Sequence, residues 1–341
     1  MTDSVQAVRV GLIGSGWMGR FHGESLARRI PETDLIAVAD PAPGAAERVA
    51  GELGAPHWYT DAAELIGDPD VEAVVIASPA RLHTDLVVAA ATAGKAIFVE
   101  KPMALTIADA DRAIAAAAGA GVPLQVGFNR RFATGFAAAR QVVVDGGIGT
   151  PQLLRSLTRD PGGFDPDAVK PGTIFLETLI HDFDTVRWFN PGAEVVDVYA
   201  VADALVHPEY RDRGLQDTAV VTIRFDNGAI AVAEANFSAA YGYDVRGEVF
   251  GSAGMVTAGD VHANEMRHYH AGGASGPTTR LNIDLFRDAY TRELADFAAN
   301  VRGADRPVPT GEDARAALAI ALACIRSAET GSRVAVSEVT A

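Results

Sequence analysis

Val8-Arg-Val-Gly-Leu-Ile-Gly-Ser-Gly-Trp-Met-Gly19 decides how the first part of the chain is read. An apolar run from Val8 to Ile13 empties into Gly14-x-Gly16-x-x-Gly19, and a helix-like stretch from Trp17 to Arg29 follows. Strand, glycine turn and helix in that order suit a dinucleotide. Gly14 permits the tight turn, Gly16 lets the backbone approach a pyrophosphate, and Gly19 allows close helix–sheet packing. The helix N-terminus offers free N–H groups and the positive end of its dipole to the phosphates. Gly14, Gly16, Trp17, Met18 and Gly19 are therefore candidate cofactor contacts.

Asp40 closes the next apolar run, Leu35-Ile-Ala-Val-Ala-Asp40, about 20 residues further on. A carboxylate there accepts hydrogen bonds from ribose hydroxyls and repels a 2′-phosphate. Pro41-Ala-Pro-Gly44 supplies no cation to offset that repulsion, so NAD is expected over NADP.

Through Val126 the chain alternates strand-like and helix-like segments, the pattern of a doubly wound parallel sheet. Expected strands are Val8–Ile13, Leu35–Ala39, Ala73–Ala77, Ala96–Val99 and Leu124–Val126. The helices between them are Trp17–Arg29, Ala45–Gly51, Asp61–Ile66, Thr84–Ala93 and Ile107–Ala118. The alternation then stops and the chain becomes strand-rich, with Asp226-Asn227-Gly228 marking a hairpin. The expected fold class is a Rossmann-type α/β domain over 1–127, then an α+β domain over 128–341. The second domain is built on an open, mainly antiparallel sheet. Helical stretches Asp284–Arg302 and Glu312–Glu329 close the chain, free to pack back on the first domain.

Two loops after strands face the crevice of such a sheet. Ser78-Pro79-x-x-x-His83 follows the expected strand Ala73–Ala77, and Glu100-Lys101-Pro102 ends the strand Ala96–Val99. Ser78, Pro79, His83, Glu100 and Lys101 are thus further cofactor candidates, with Lys101 aimed at the nicotinamide end. In the second domain, Glu177 and His181 stand four apart in a helix-like stretch and share a face. A carboxylate beside an imidazole orients the ring and raises its proton affinity, which suits a general base. One histidine with scattered carboxylates is too few ligands for a metal site, so none is expected. His262, His268 and His270 read as solvated strand and loop residues in a Gly-rich region.

Composition narrows the partners. The 341 residues are 48% hydrophobic and 21% charged, with a formal net charge of −15. So acidic a chain repels nucleic acid and anionic membranes, and a neutral small molecule is the expected partner. No apolar run reaches the ~18 residues of a membrane span. Met1-Thr-Asp-Ser-Val5 shows no leader-like pattern, and Cys324 stands alone, both compatible with a cytoplasmic protein.

Taken together, the glycine turn, Glu100-Lys101-Pro102, Gly127-Phe-Asn-Arg-Arg131-Phe and Glu177…His181-Asp-x-Asp184 resemble the Gfo/Idh/MocA oxidoreductase family. Within it, Ala240-Tyr241-Gly-Tyr243-Asp244 and Thr158-Arg-Asp160-Pro161 look most like inositol 2-dehydrogenases. The resemblance implies that Lys101, Glu177 and His181 form the catalytic group. It places Arg131, Asp160 and Tyr243, together with that group, against a polyol. It also implies a homo-oligomer, dimer or tetramer. The inositol enzymes have Asp in place of Glu177 and Asn in place of Asp160, so substrate choice stays open between a cyclic polyol and another sugar. A non-catalytic NAD-binding sensor is the alternative from a different class.

Overall fold

The computed structural model describes residues 6–163, 167 and 169–340, so the Met1–Val5 stretch read above lies outside the described residues. Two compact units emerge: Met1–Phe132 with Asp288–Arg315, and Ala133–Arg287 with Ala316–Ala341.

The first unit contains β1 (Val8–Ile13), α1 (Trp17–Arg28), β2 (Thr33–Ala39), α2 (Ala45–Leu53), β3 (His57–Tyr59) and α3 (Ala62–Gly67). It continues through β4 (Ala73–Ile76), α4 (His83–Thr92), β5 (Ala96–Glu100), α5 (Ile107–Ala120) and β6 (Leu124–Gly127). The strands form one parallel sheet in the order β3-β2-β1-β4-β5-β6. Strand order reverses between β1 and β4, which opens a ligand crevice at their carboxyl ends. β4 and β5 are apolar through almost their whole length because both faces are covered. One strand was not expected: His57-Trp58-Tyr59 is too short to show a period and lies at the sheet edge.

The second unit contains α6 (Thr134–Val144), β7 (Pro151–Arg159), a π-helical turn at Ile174–Thr178, α7 (Leu179–Trp188) and β8 (Val195–Asp203). Then follow β9 (Thr218–Phe225), β10 (Ile230–Asn236), β11 (Asp244–Gly251), β12 (Gly254–Ala258) and the exposed ribbon β13 (His268–His270) with β14 (Gly273–Ser275). The chain closes with α8 (Asn282–Leu285), α9 (Arg287–Val301), α10 (Gly311–Thr330), β15 (Val334–Ala335) and α11 (Ser337–Thr340). The main sheet runs β12-β11-β7-β10-β9-β8-β15. It is mixed: β7 pairs antiparallel with β11 but parallel with β10. Strict alternation in β9, with Ala219, Val221, Ile223 and Phe225 inward, leaves one face dry and the other polar-edged. Helix α7 covers β7 and β10.

Most of α9 belongs to the first unit, across the boundary that the loss of alternation at 127 suggested. Leu294, Phe297 and Ala298 join a core with Val10, Leu12 and Phe98. Phe297 meets Phe98 edge-on at 6.0 Å between ring centroids. The apolar stripe of α9 needed a partner, and sequence order does not say which sheet provides it. Arg302 then ties this segment to the Gln6 and Ala7 carbonyls and to Glu72.

Candidate active site

The glycine turn is held by backbone contacts that allow no side chain at Gly14 or Gly19. Gly14 sits at φ 96°, and a Cβ there would lie 2.7 Å from the Ala77 carbonyl oxygen. A Cβ on Gly19 would lie 1.9 Å from the Gly14 carbonyl oxygen. At Gly16 the same atom would meet nothing within 4 Å, so space remains on the side from which a ligand approaches. Gly16 also caps α1 without any side-chain hydrogen bond, leaving the first N–H groups of the helix available.

Beside this turn lies a cavity of about 810 Å³ lined by Gly14, Gly16, Asp40, Ser78, Pro79 and Arg81 among others. Asp40 is held on its wall: Oδ2 accepts from the Ser15 N–H and hydroxyl, both at 2.8 Å, and Oδ1 accepts from the Ala42 N–H at 2.9 Å. Burial opposes its ionisation, but the Ser15 and Ala42 hydrogen bonds and nearby Arg48 hold its carboxyl below the usual range. The Ser78 hydroxyl is buried with no hydrogen-bond partner among the described residues. Open space at Gly16, an uncapped helix end, a fixed anion and an orphan hydroxyl together fit a dinucleotide. Thr60, Asp61, Ala62, Leu82 and Leu86 also line the cavity and were not singled out in the sequence. They follow the short β3 or open α4, and no motif marks them. Trp17 is exposed and Met18 half-buried at the mouth of the turn.

The Glu100-Lys101-Pro102 turn departs from expectation in one respect. Glu100 does not face the crevice, since consecutive strand residues point to opposite sides. Its carboxylate is buried, with Oε1 2.6 Å from Nε2 of His22 and Oε2 accepting the Lys101 backbone N–H at 3.2 Å. Burial alone would raise its pKa; the bond to His22 and the charges of His22 and Lys101 more than reverse this, so it stays ionised. Glu293 of α9 approaches the same pair, one ligand atom of each lying within 4.8 Å of the others. Burial and the charge on Glu100 push the Glu293 pKa well up, so this carboxyl is held neutral. His83 is likewise buried rather than turned to the crevice. Its Nδ1 lies 2.8 Å from the Pro102 carbonyl oxygen and its Nε2 2.8 Å from that of Ser78. Burial draws its pKa down, against the pull of those two carbonyls. The side chains of Glu100 and His83 thus bond to the protein interior instead of lining the cavity. The Lys101–Pro102 peptide is cis. Arg131, in the same unit, pairs with Asp313 at 3.0 Å.

In the second unit the remaining candidates lie around β7 and the helix packed on it. The sequence reads as one α-helix from residue 173 onward, but Ile174–Thr178 is a π turn, which changes the register between Glu177 and the residues after it. Glu177 is exposed and His181 half-buried. Asp182, the neighbour of His181, is fully buried and accepts from the Ser156 hydroxyl at 2.5 Å and the Thr158 hydroxyl at 2.7 Å. That double bond to β7 fixes the rotation of α7, a role the sequence did not disclose because Ser156 and Thr158 lie 26 and 24 residues away. Asp160 follows β7, its N–H bonded to the Asn236 carbonyl and its carbonyl accepting from Ala239. Tyr243 precedes β11 and donates its N–H to the Thr279 carbonyl at 2.7 Å. His268 and His270 are exposed on their ribbon, as expected of solvated residues.

Two family descriptions match segments of the chain. The description "Oxidoreductase family, NAD-binding Rossmann fold" fits residues 8–128, and a GFO/IDH/MocA C-terminal domain fits residues 136–257. The chain is 39% identical to a myo-inositol 2-dehydrogenase of Thermotoga maritima over 97% of its own length and 99% of the relative's. It is 36% identical to an NAD(+) scyllo-inositol 2-dehydrogenase of Bacillus subtilis, covering 95% of each. Its fold is similar to the crystal structure of scyllo-inositol dehydrogenase from Lactobacillus casei with bound NAD(H) and scyllo-inositol. That likeness has a TM-score of 0.93 at 28% identity and covers 97% of this chain and all of the other.

Proposed function

The chain belongs to the Gfo/Idh/MocA oxidoreductase family, and from that premise we propose that it oxidises a secondary hydroxyl of an inositol-like cyclic polyol to the ketone. The observation that carries this reading is likeness over nearly the whole chain to two inositol 2-dehydrogenases. The glycine turn and the fixed Asp40 of the first unit support the dinucleotide half of it independently.

The first unit holds the dinucleotide through the Gly14–Gly19 turn, the α1 N-terminus and Asp40. Bound NAD supplies the hydride acceptor. His181 takes the hydroxyl proton as general base, and Glu177 orients its ring. Lys101 contributes positive charge where the oxygen becomes anionic. Arg131, Asp160 and Tyr243, with the catalytic group, read the other hydroxyls of the ring. Asp160, acceptor-only when ionised, favours hydroxyl donors at its position. The protein works in the cytoplasm as a homo-oligomer, a dimer or tetramer.

A panel of inositols and aldoses, followed by nicotinamide absorbance with NAD and with NADP, tests the reading. Turnover of an inositol with NAD is the expected result. Aldose turnover alone moves the protein to the sugar dehydrogenases. Tight NAD binding without turnover of any substrate favours a sensor, and NADP preference removes the role given to Asp40.

A further inference from the structure

Lys101 is surrounded by more buried polar chemistry than a surface turn requires. A buried hydrogen-bonded polar pair gives little net stability, since apolar residues of the same volume serve as well or better. The His22–Glu100 pair therefore needs another explanation. His22 is fully buried, with its ring edge-on to Phe98 and Tyr290 at 5.6 and 5.8 Å between centroids. Its Nε2 meets Glu100, whose other oxygen receives the Lys101 N–H. The neighbouring strand leaves room for the carboxylate: a Cβ on Gly127 would lie 3.1 to 3.2 Å from its carbon and oxygens. On the other side of Lys101, the His83 ring spans the Pro102 and Ser78 carbonyls. These carbonyls only accept, so the ring bonds through whichever nitrogen carries a proton, and through both as imidazolium.

We propose that His22 and His83 are positioning residues for Lys101. One holds the lysine's own peptide through Glu100; the other braces the following carbonyl against the Ser78 loop that lines the cavity. Two helices, α1 and α4, thereby fix a single turn from opposite sides. The proposal rests on the reading of Lys101 as a catalytic group, and its test separates the two.

The chain has only three lysines, Lys95, Lys101 and Lys170, so protein labelled with ¹⁵N at lysine gives three amide signals. His22→Phe and the milder His22→Gln should move the Lys101 amide and speed its hydrogen exchange. His83→Phe and His83→Gln should do the same. Lys95, in the same unit with Nζ held by the Asp68 and Val71 carbonyls, should stay in place. An unmoved Lys101 signal, or Lys95 moving in step with it, overturns the proposal.

In turnover, each Phe variant should lower kcat about tenfold or more, since a misplacement of ~1 Å can cost ~10²-fold. The KM for NAD should stay within about twofold, and the Gln variants should recover part of the loss. In a Lys101→Met background the same substitutions should have no further effect; an undiminished loss there overturns the proposal as well. If the wild-type enzyme turns over no polyol, the functional reading fails, and the amide signals alone decide the brace.

Discussion

The Gly14–Gly19 turn and the Ile174–Trp188 stretch both carry residues of the proposed site, and they hold them by opposite means. In the turn, backbone does the work: groups are excluded, and a Cβ at Gly19 would overlap a carbonyl oxygen. In the helix, side chains do the work, and their direction depends on a π turn and on Asp182 bonded to a strand more than twenty residues earlier. A site made of excluded atoms tolerates no side chain at Gly14 or Gly19. A site made of oriented side chains depends on residues that never touch the ligand.

Four substitutions probe this contrast, in falling order of effect on turnover. His181→Ala should cut kcat by ~10²–10⁴-fold, the usual worth of general base catalysis, while NAD affinity measured by fluorescence is retained. Equal turnover in the variant would remove the helix from the chemistry. Gly19→Ala forces backbone apart at the turn. It should cost ~1–3 kcal/mol in thermal unfolding and weaken NAD binding about tenfold or more. If calorimetric titration finds wild-type affinity, the turn does not act through exclusion.

Asp182→Ala removes the carboxylate that both β7 hydroxyls bond, a loss of ~1–3 kcal/mol in stability. Turnover should fall with it while NAD affinity does not, because α7 loses its rotational anchor; turnover unchanged in a folded variant would show that the anchor does not aim His181.

Glu293→Gln should leave turnover unaltered and show itself only in stability against pH. The folded protein holds the Glu293 proton well above the pH at which the unfolded chain releases it. Stability of the wild type is therefore fully present below the ordinary glutamate range near ~4.3 and falls as pH rises toward the folded pKa. The amide carries no such penalty. Melting curves of the two proteins should coincide near the acid end and separate with rising pH, the variant being the more stable; parallel curves would mean that Glu293 is ionised in the fold.

The same contrast explains what could be read from the sequence. The parallel sheet, the hairpin at Asp226–Gly228 and the boundaries of β1 follow from period and turn chemistry, which are local. So do Gly14, Gly19 and Asp40, whose spacing is itself the signal. The directions of Glu100 and His83 did not follow. Placement at a strand end names the loop, but only His22, 78 residues earlier, shows where the carboxylate points. The π turn at Ile174–Thr178 left no trace, because an added backbone residue per turn does not alter composition. The parallel pairing of β7 with β10 was equally hidden, being set by which strands meet and not by what either contains.

The return of α9 to the first unit has a consequence for synthesis on the ribosome. Chains emerge at about 5–20 residues per second, and N-terminal domains ordinarily complete themselves first. Here the Rossmann sheet has all six strands once Gly127 is out, but the seat of Leu294, Phe297 and Ala298 stays open until α9 follows. The whole strand-rich second unit up to Arg287 is made in that interval. The nascent first unit thus keeps an uncovered apolar groove until α9 is made.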